Sequence, residues 1–361
     1  MQEFNYGAPP QNSVNAGAFI TRPQTFDQYL AENEFPRVED EALNSELISR
    51  HQQITPTEKE TETINSLVTR TKQALENVVA TDSLNPLKIE EVREVGSFKK
   101  GTMLSRHNVG DVVIMFKGLP KPEDMKKLAD QVVEHLKSGV HQNDVFGVVP
   151  REFGCEIAGT QAVIRLLAAI PGDQIANLEP DVHCKTEVIQ QNLAALRHSF
   201  WFEHSASQPN IKMLVRLVKD IKKRCKGLAA LDVYTIELLS HYSVICTYDR
   251  IPLPLSLAFR RFFQLIASGF LLHTSIAVAD PCDPTRRINY GFDLAEAHSS
   301  LHVCLFTIQF DRLLGTKLAH VDIGSENETG TNLSIAPLKE AYNKETIVNI
   351  PPVESFSKVA A

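Results

Sequence analysis

Apolar positions along the chain change their period four times between Thr57 and Glu187, and the changes mark out its parts. Residues 1 to about 25 are rich in Gly, Pro, Asn and Gln and follow neither a helical nor a strand period, which predicts disorder. Phe26, Tyr29 and Phe35 are then placed to staple an extended arm, ending near Val38, onto a domain surface. From Thr57 to Val79 the apolar residues Ile64, Leu67, Val68, Leu75 and Val78 recur at helical spacing, and Thr57 with Glu60 reads as a capping box. Ile89 to Val95 instead alternates, as a half-buried strand does, and breaks at Gly96-Ser97. A second strand runs to Phe116. Pro122 to Leu136 returns to a helical stripe through Met125, Leu128, Val132, Val133 and Leu136. Three further β-runs, Val145–Val149, Cys155–Ala158 and Ala162–Ile170, are punctuated by Gly154 and Gly159 and stopped by Pro171-Gly172. From Glu187 onward the period is helical almost without break: Glu187–His204, Pro209–Cys225, Asp232–Tyr248, Leu255–Leu272 and Asp293–Leu314.

This order predicts an α+β protein. A lobe over residues 26–180 carries a mixed sheet of four or five strands with helices, and an all-helical lobe follows over 181–325. Together they make one folded unit, 26–340, with 341–361 a flexible tail.

Composition narrows the class. The 361 residues leave room for two lobes, and 43% hydrophobic with 22% charged residues describes an ordinary globular core. A net charge of −7 argues against strong, non-specific nucleic-acid binding by this chain alone. The six cysteines include no Cys-x-x-Cys, the pattern of buried free thiols in a reducing compartment. Met1 to Asn5 has no basic segment leading into an apolar one, so secretion is not expected. Leu265 to Ala279 is too short to span a bilayer and contains His273; the expectation is a soluble intracellular protein without a membrane contact.

The candidate chemistry sits in the strand–turn–strand. A Gly96-Ser97 turn can gather N–H groups and a hydroxyl around phosphate oxygens, echoed by Gly101-Thr102. Asp111 near the head of the next strand can hold a cation against those phosphates. Gly-Ser, a short helix, then Asp-x-Asp on a strand is the layout of a template-free nucleotidyltransferase. Here the second acid is Val113, although two-metal chemistry needs carboxylates at i and i+2 on one face. A third is expected in the strand from Ala162 to Leu167, where the charged residue is Arg165, of the wrong sign. The layout is thus a pseudo-nucleotidyltransferase: no catalytic residue, no metal site and no resident cofactor are expected. Gly96, Ser97 and Asp111 remain candidates for holding ATP or UTP with magnesium.

Lys212, Arg216, Lys219, Lys222 and Lys223 read as a solvated helix face or as a contact for a nucleic-acid backbone. Lys99, Lys100, Arg106 and His107 add positive charge near the turn. His298 and His302, with Cys304 nearby, share a helix face as zinc ligands do, but lack third and fourth ligands in register. Glu203 and His204 beside Trp201 read as cap and packing.

Several stretches carry a resemblance: Phe35-Pro36-Arg37-Val38, the run from Glu90 through Gly96-Ser97-Phe98-Lys99-Lys100-Gly101-Thr102 to Met103, His107-Asn108-Val109, Leu193 to His198 with Trp201-Phe202-Glu203, and Asp280-Pro281-Cys282. On these the chain resembles the DZF (domain associated with zinc fingers) family. The resemblance implies a nuclear, non-catalytic subunit with a cytoplasmic ribonucleoprotein pool. Its partner would be a larger DZF protein bearing double-stranded-RNA-binding domains or zinc fingers, and RNA or DNA would be met mainly through that partner. It also implies pairing through the helical half, where Phe259, Phe262, Phe263 and Phe270 are candidates for the interface, or for the core. The Arg-Gly-rich arm of better-known members is missing here, Arg22 alone preceding residue 36. Two other readings stay open: a nucleotide sensor, and an enzyme with a degenerate site.

Overall fold

The computed structural model describes residues 41–300, apart from 82–86, 139–142, 180–181, 225, 247–250, 268, 274, 276, 294–295 and 298–299. The aromatic arm, the polar tail, and most of the helix expected over Asp293–Leu314 lie outside the described residues.

Two helices lead in, α1 (Glu41–Ile54) and α2 (Glu58–Ala80). The capping box holds as read: Thr57 Oγ1 accepts from the Glu60 amide, while a Glu60 carboxylate oxygen accepts from the Thr57 amide. Then come β1 (Ile89–Val95), a one-turn α3 (Gly96–Lys99), β2 (Val109–Phe116), α4 (Pro122–Leu136), β3 (Gly147–Arg151), β4 (Gly154–Ala158) and β5 (Val163–Ala169). The sheet is five-stranded and mixed, in the order β1-β2-β5-β4-β3. β2 and β5 are its parallel pair, and the other neighbours run antiparallel. The helical half comprises α5 (Thr186–Ser205), α6 (Pro209–Arg224), α7 (Val233–Ile245) and α8 (Leu255–Ala267).

Two cores match the two lobes. One lies between the sheet and α2 and α4, around Ile64, Leu75, Ile114, Phe116, Met125 and Ile164. The other fills the helical half around Phe202, Leu214, Val218, Leu239, Phe262 and Ile266. α1, which the periodicity did not single out, belongs to the second core: Leu43, Leu47 and Ile54 are buried in it. Arg50 of α1 clamps Asp220 of α6, with Nε to Oδ2 at 3.0 Å and Nη2 to Oδ1 at 3.1 Å. The first helix among the described residues thus straps the last lobe to the first.

Near-continuous helix after Glu187 needs one correction. Strands β6 (Ala279–Asp280) and β7 (Asp283–Arg287) form a small ribbon whose turn is Asp280-Pro281-Cys282. Proline and two acids defeat helix there. The expectation of buried thiols is met at Cys155 and Cys184, whereas Cys246 is exposed and Cys282 half-buried; all four are unpaired. Among the described residues no helix is long and apolar enough to cross a membrane.

Candidate functional site

Glycine builds the turn after β1. Gly96 has φ +77°, and a Cβ added to it would lie 2.0 Å from Asp111 Oδ2. Only glycine lets the backbone turn there with the carboxylate against it. Gly101, at φ +67°, then redirects the chain toward β2. The N–H groups of Lys100, Gly101 and Thr102 donate to the carbonyls of Gly96, Phe98 and Ser97. These three bonds close the turn upon itself.

The parallel register of β2 and β5 sets Asp111 opposite Arg165. Arg165 Nε donates to Asp111 Oδ1 at 2.6 Å. Asp111 is 8% exposed, and burial raises its carboxyl above the usual range, with the Arg165 charge and hydrogen bond offsetting part of that rise. Val113, two residues on along β2, is 1% exposed in an apolar cluster with Val95, Leu167 and Ala169, against Leu193, Ala195 and Leu196 of α5. Where two-metal chemistry would have three solvated carboxylates, the protein has one carboxylate held by a guanidinium and a valine sealed under a helix.

The basic residues of α6 are not a free solvated face. Lys212, Arg216, Lys219 and Lys223 fall at i, i+4, i+7 and i+11, one stripe, and the stripe faces the turn. Lys219, 9% exposed, donates to Ser97 Oγ at 2.7 Å and to the Thr102 carbonyl at 3.2 Å. Arg216 Nε donates to the Met103 carbonyl at 3.0 Å. Lys212 Nζ is 3.5 Å from the position a Gly101 Cβ would take. Lys222 leaves the stripe and donates to the Leu231 carbonyl, and of these five bases Lys223 alone is exposed. Gly96, Ser97, Asp111, Arg165 and Lys219 are therefore brought together by contacts between the lobes; the inward face of α6 is what sequence reading missed. Its signal was present in the spacing of four bases at helical period.

Lys100 Nζ and Glu237 Oε2 pair at 2.6 Å, with the two side chains 6% and 0% exposed, joining the turn to α7. Among the described residues Glu237 Oε1 has no hydrogen-bond partner. Lys100 also lies over the Phe202 ring, 5.6 Å from its centroid. The neighbouring stretches of the family resemblance build the same seam. His198 stacks on Tyr234 with ring centroids 3.4 Å apart, and Trp201 meets Tyr234 and His241 edge-on. Tyr234 donates to Asp280 Oδ1 at 2.5 Å, and the Cys282 amide donates to the same oxygen at 2.8 Å. Burial pushes the Tyr234 hydroxyl up and His198 down to about 3, so both stay neutral at neutral pH.

Other expected residues fall elsewhere. Lys99 pairs with Glu203 at 3.3 Å, and His204 packs on Phe200, a cap-and-packing arrangement. Arg106, exposed with φ +61°, donates its amide to Glu60. Phe259, Phe262, Phe263 and Phe270 are all 9% exposed or less and sit in the chain's own helical core, the first three on the inward face of α8 and Phe270 in the turn beyond it. The large apolar side chains left open in that half include Phe200, Ile251 and Tyr290. His298, His302 and Cys304 lie outside the described residues. Among those described, no group of three His, Cys, Asp or Glu could hold a metal.

Residues 8–207 match the model of the DZF N-terminal domain, and residues 210–334 that of the DZF C-terminal domain. Among solved structures the chain is similar to CdnC of E. coli MS115-1 with ATP, at TM-score 0.54 and 15% identity over 81% of this chain and 100% of that one. It is similar to the same strain's CdnC in complex with HORMA-deltaN, at TM-score 0.53 and 15% identity over 78% and 98%. It is also similar to the Cid1 poly(U) polymerase with magnesium and 3'-dATP, at TM-score 0.52 and 11% identity over 80% and 100%. At such identities the likeness is one of fold, and the fold is that of nucleotidyltransferases.

Proposed function

Because the chain belongs to the DZF family, we propose that it acts as a non-catalytic subunit, folded as a nucleotidyltransferase but assembling with a larger DZF protein. That partner carries the double-stranded-RNA-binding domains or zinc fingers and meets the RNA or DNA. Within the family the sequence resembles interleukin enhancer-binding factor 2, the smaller member of a nuclear factor pair, and on that resemblance the nucleus is its place of work and transcription and RNA metabolism are its processes.

One observation carries the non-catalytic half of this reading: Asp111 is salt-bridged to Arg165 while Val113 is enclosed in an apolar cluster. Nucleotidyl transfer between two metals asks for a cluster of carboxylates, which neutralise the cations that neutralise the phosphates. A guanidinium facing the remaining carboxylate repels those cations.

Two assays test the halves separately. Tagged chain drawn from nuclear extract, after ribonuclease, should bring down a near-stoichiometric partner with its own DZF region; recovery of the chain alone would defeat the subunit reading. The purified protein should incorporate no labelled ATP or UTP into RNA with magnesium or manganese. Metal-dependent incorporation that disappears in Asp111→Ala would establish an enzyme instead. A nucleotide sensor is the second reading, favoured by the positive lining that α6 turns toward Ser97.

A further inference from the structure

The second half of α5 carries its exposed residues on one stripe. Arg197, Phe200 and His204 follow at i, i+3 and i+7, about 10 Å of helix, and all three are exposed. Phe200 is 62% exposed, and among the described residues it is the large apolar side chain that α5 leaves open. Its ring lies 4.1 Å, centroid to centroid, from that of His204, at a tilt of 33°. His204 Nδ1 donates to the Phe200 carbonyl at 2.8 Å, which fixes the imidazole beside the phenyl ring. The acid of this stretch, Glu203, is engaged by Lys99.

The ribbon brings a second arginine to the stripe. Tyr234, stacked on His198, is held by Asp280, which sets β6 and β7 against this part of α5. Arg286 of β7 is exposed, as Arg197 is. Thr285 holds the Asp283 carboxyl below its usual range, and Arg286 and Arg197 both add to that effect, so the two guanidiniums stand around one point. Asp283 Oδ1 accepts from the Thr285 amide and hydroxyl instead of from either of them. Among the described residues neither arginine side chain makes a salt bridge or a hydrogen bond. Two unpaired cations thus flank an open pair of rings.

We propose that this face of α5, with the ribbon, is a contact for single-stranded nucleic acid: a base stacks on Phe200 and His204, and the phosphates beside it meet Arg197 and Arg286. The contact goes beyond the proposed subunit role, in which the partner meets the RNA or DNA, and does not depend on it. A guanidinium offers phosphate oxygens a planar fork, and an aromatic ring accepts any base through its π-face. Stacking needs an unpaired strand, since a duplex keeps its bases on one another. A protein partner would ask for a contiguous apolar core across the interface, which one ring set between unpaired arginines does not supply. The net charge of −7 keeps the contact local, weak and dependent on salt.

Fluorescence anisotropy of the full chain tests this, with labelled oligouridylate, oligodeoxythymidylate and a duplex RNA of the same length as probes. Both single strands should bind at low salt, and their affinity should fall with salt at a logarithmic slope of about −1.4, some 0.7 for each of two phosphates. Arg197→Ala and Arg286→Ala should each remove about half of that slope. Phe200→Ala should weaken the single strands about fivefold to a hundredfold with the slope unchanged, and the duplex should bind unaltered protein more weakly by the same factor. Phe200→Trp should restore binding, its indole fluorescence quenched by the strand. All three positions are exposed, so melting should not move. Whichever single strand binds tighter names the source of the ligand, RNA or DNA, and supports the proposal. Absence of binding with protein at about 0.1 mM, the weak end for non-specific contacts, would overturn it. Duplex bound as tightly as the single strands would overturn it too, as would a slope that answers to Lys223→Glu and not to the two arginines. If Phe200→Ala instead abolishes recovery of a protein partner from nuclear extract and leaves both strands bound as before, the face belongs to a protein and the proposal fails.

Discussion

Gly96 shows how much of the site hangs on one missing side chain. Its φ of +77° is a conformation that L-residues resist, and Asp111 Oδ2 occupies the place of its Cβ. Gly96→Ala should lower stability by about 2 kcal/mol or more, through strain and clash together. The urea midpoint should fall without a change in slope. Gly96→Ala combined with Asp111→Ala should cost less than the sum of the two, since removing the carboxylate removes the clash; strict additivity would show that the two residues do not touch. At this scale the sequence was partly legible. Val113 could be set against the two-metal requirement from strand alternation, because a period of two decides which side chains share a face, and Arg165 as the charged residue of the strand expected to carry the third carboxylate. That Arg165 would bond Asp111 was not readable, since it depends on β2 and β5 being parallel neighbours in that register.

Elements were legible where a local pattern decides them. Pro122–Leu136 appears with the bounds its stripe predicted, and α2 starts at its capping box. The misses are tertiary. α1 is polar along most of its length, and its few apolar residues became meaningful only against the helical lobe. The α6 stripe read as solvated because bases usually are, yet the fold turns it inward, to be satisfied by the carbonyls of Met103 and Thr102. α7 is joined to the turn by the buried Lys100–Glu237 pair, which gives an element-scale prediction. Lys100→Met should destabilise the protein by about 3–5 kcal/mol, because it strands a buried carboxylate. Adding Glu237→Leu should recover most of that loss, and a double-mutant cycle in denaturant reads the coupling. A double variant no better than the single one would mean that the pair does not hold the lobes together.

Over the whole molecule, three half-buried histidines make the fold sensitive to acid. Burial lowers His51 and His241 to about 4 and His198 to about 3, with Arg216 adding to the effect at His51 and Lys100 at His198. The unfolded chain takes up those protons near pH 6.5, whereas the native one does not. Stability is therefore full above pH 6.5 and lost as pH falls toward 4. Asp111, raised by burial, works in the opposite direction. The expected drop between pH 7 and pH 4.5 is on the order of a few kcal/mol, visible in urea midpoints; a flat profile across that range would show the rings already charged in the fold. The same accounting of buried charge bears on the protein's past. Arg165→Asp alone would set a second carboxylate against Asp111 with nothing to neutralise either, and Val113→Asp alone would bury one in an apolar cluster. Each single step toward a metal centre lowers stability before any metal can reward it. On the proposed non-catalytic reading the salt bridge is a ratchet: a lineage that left catalysis through it is free to acquire new partners, while the route back to the old chemistry stays closed.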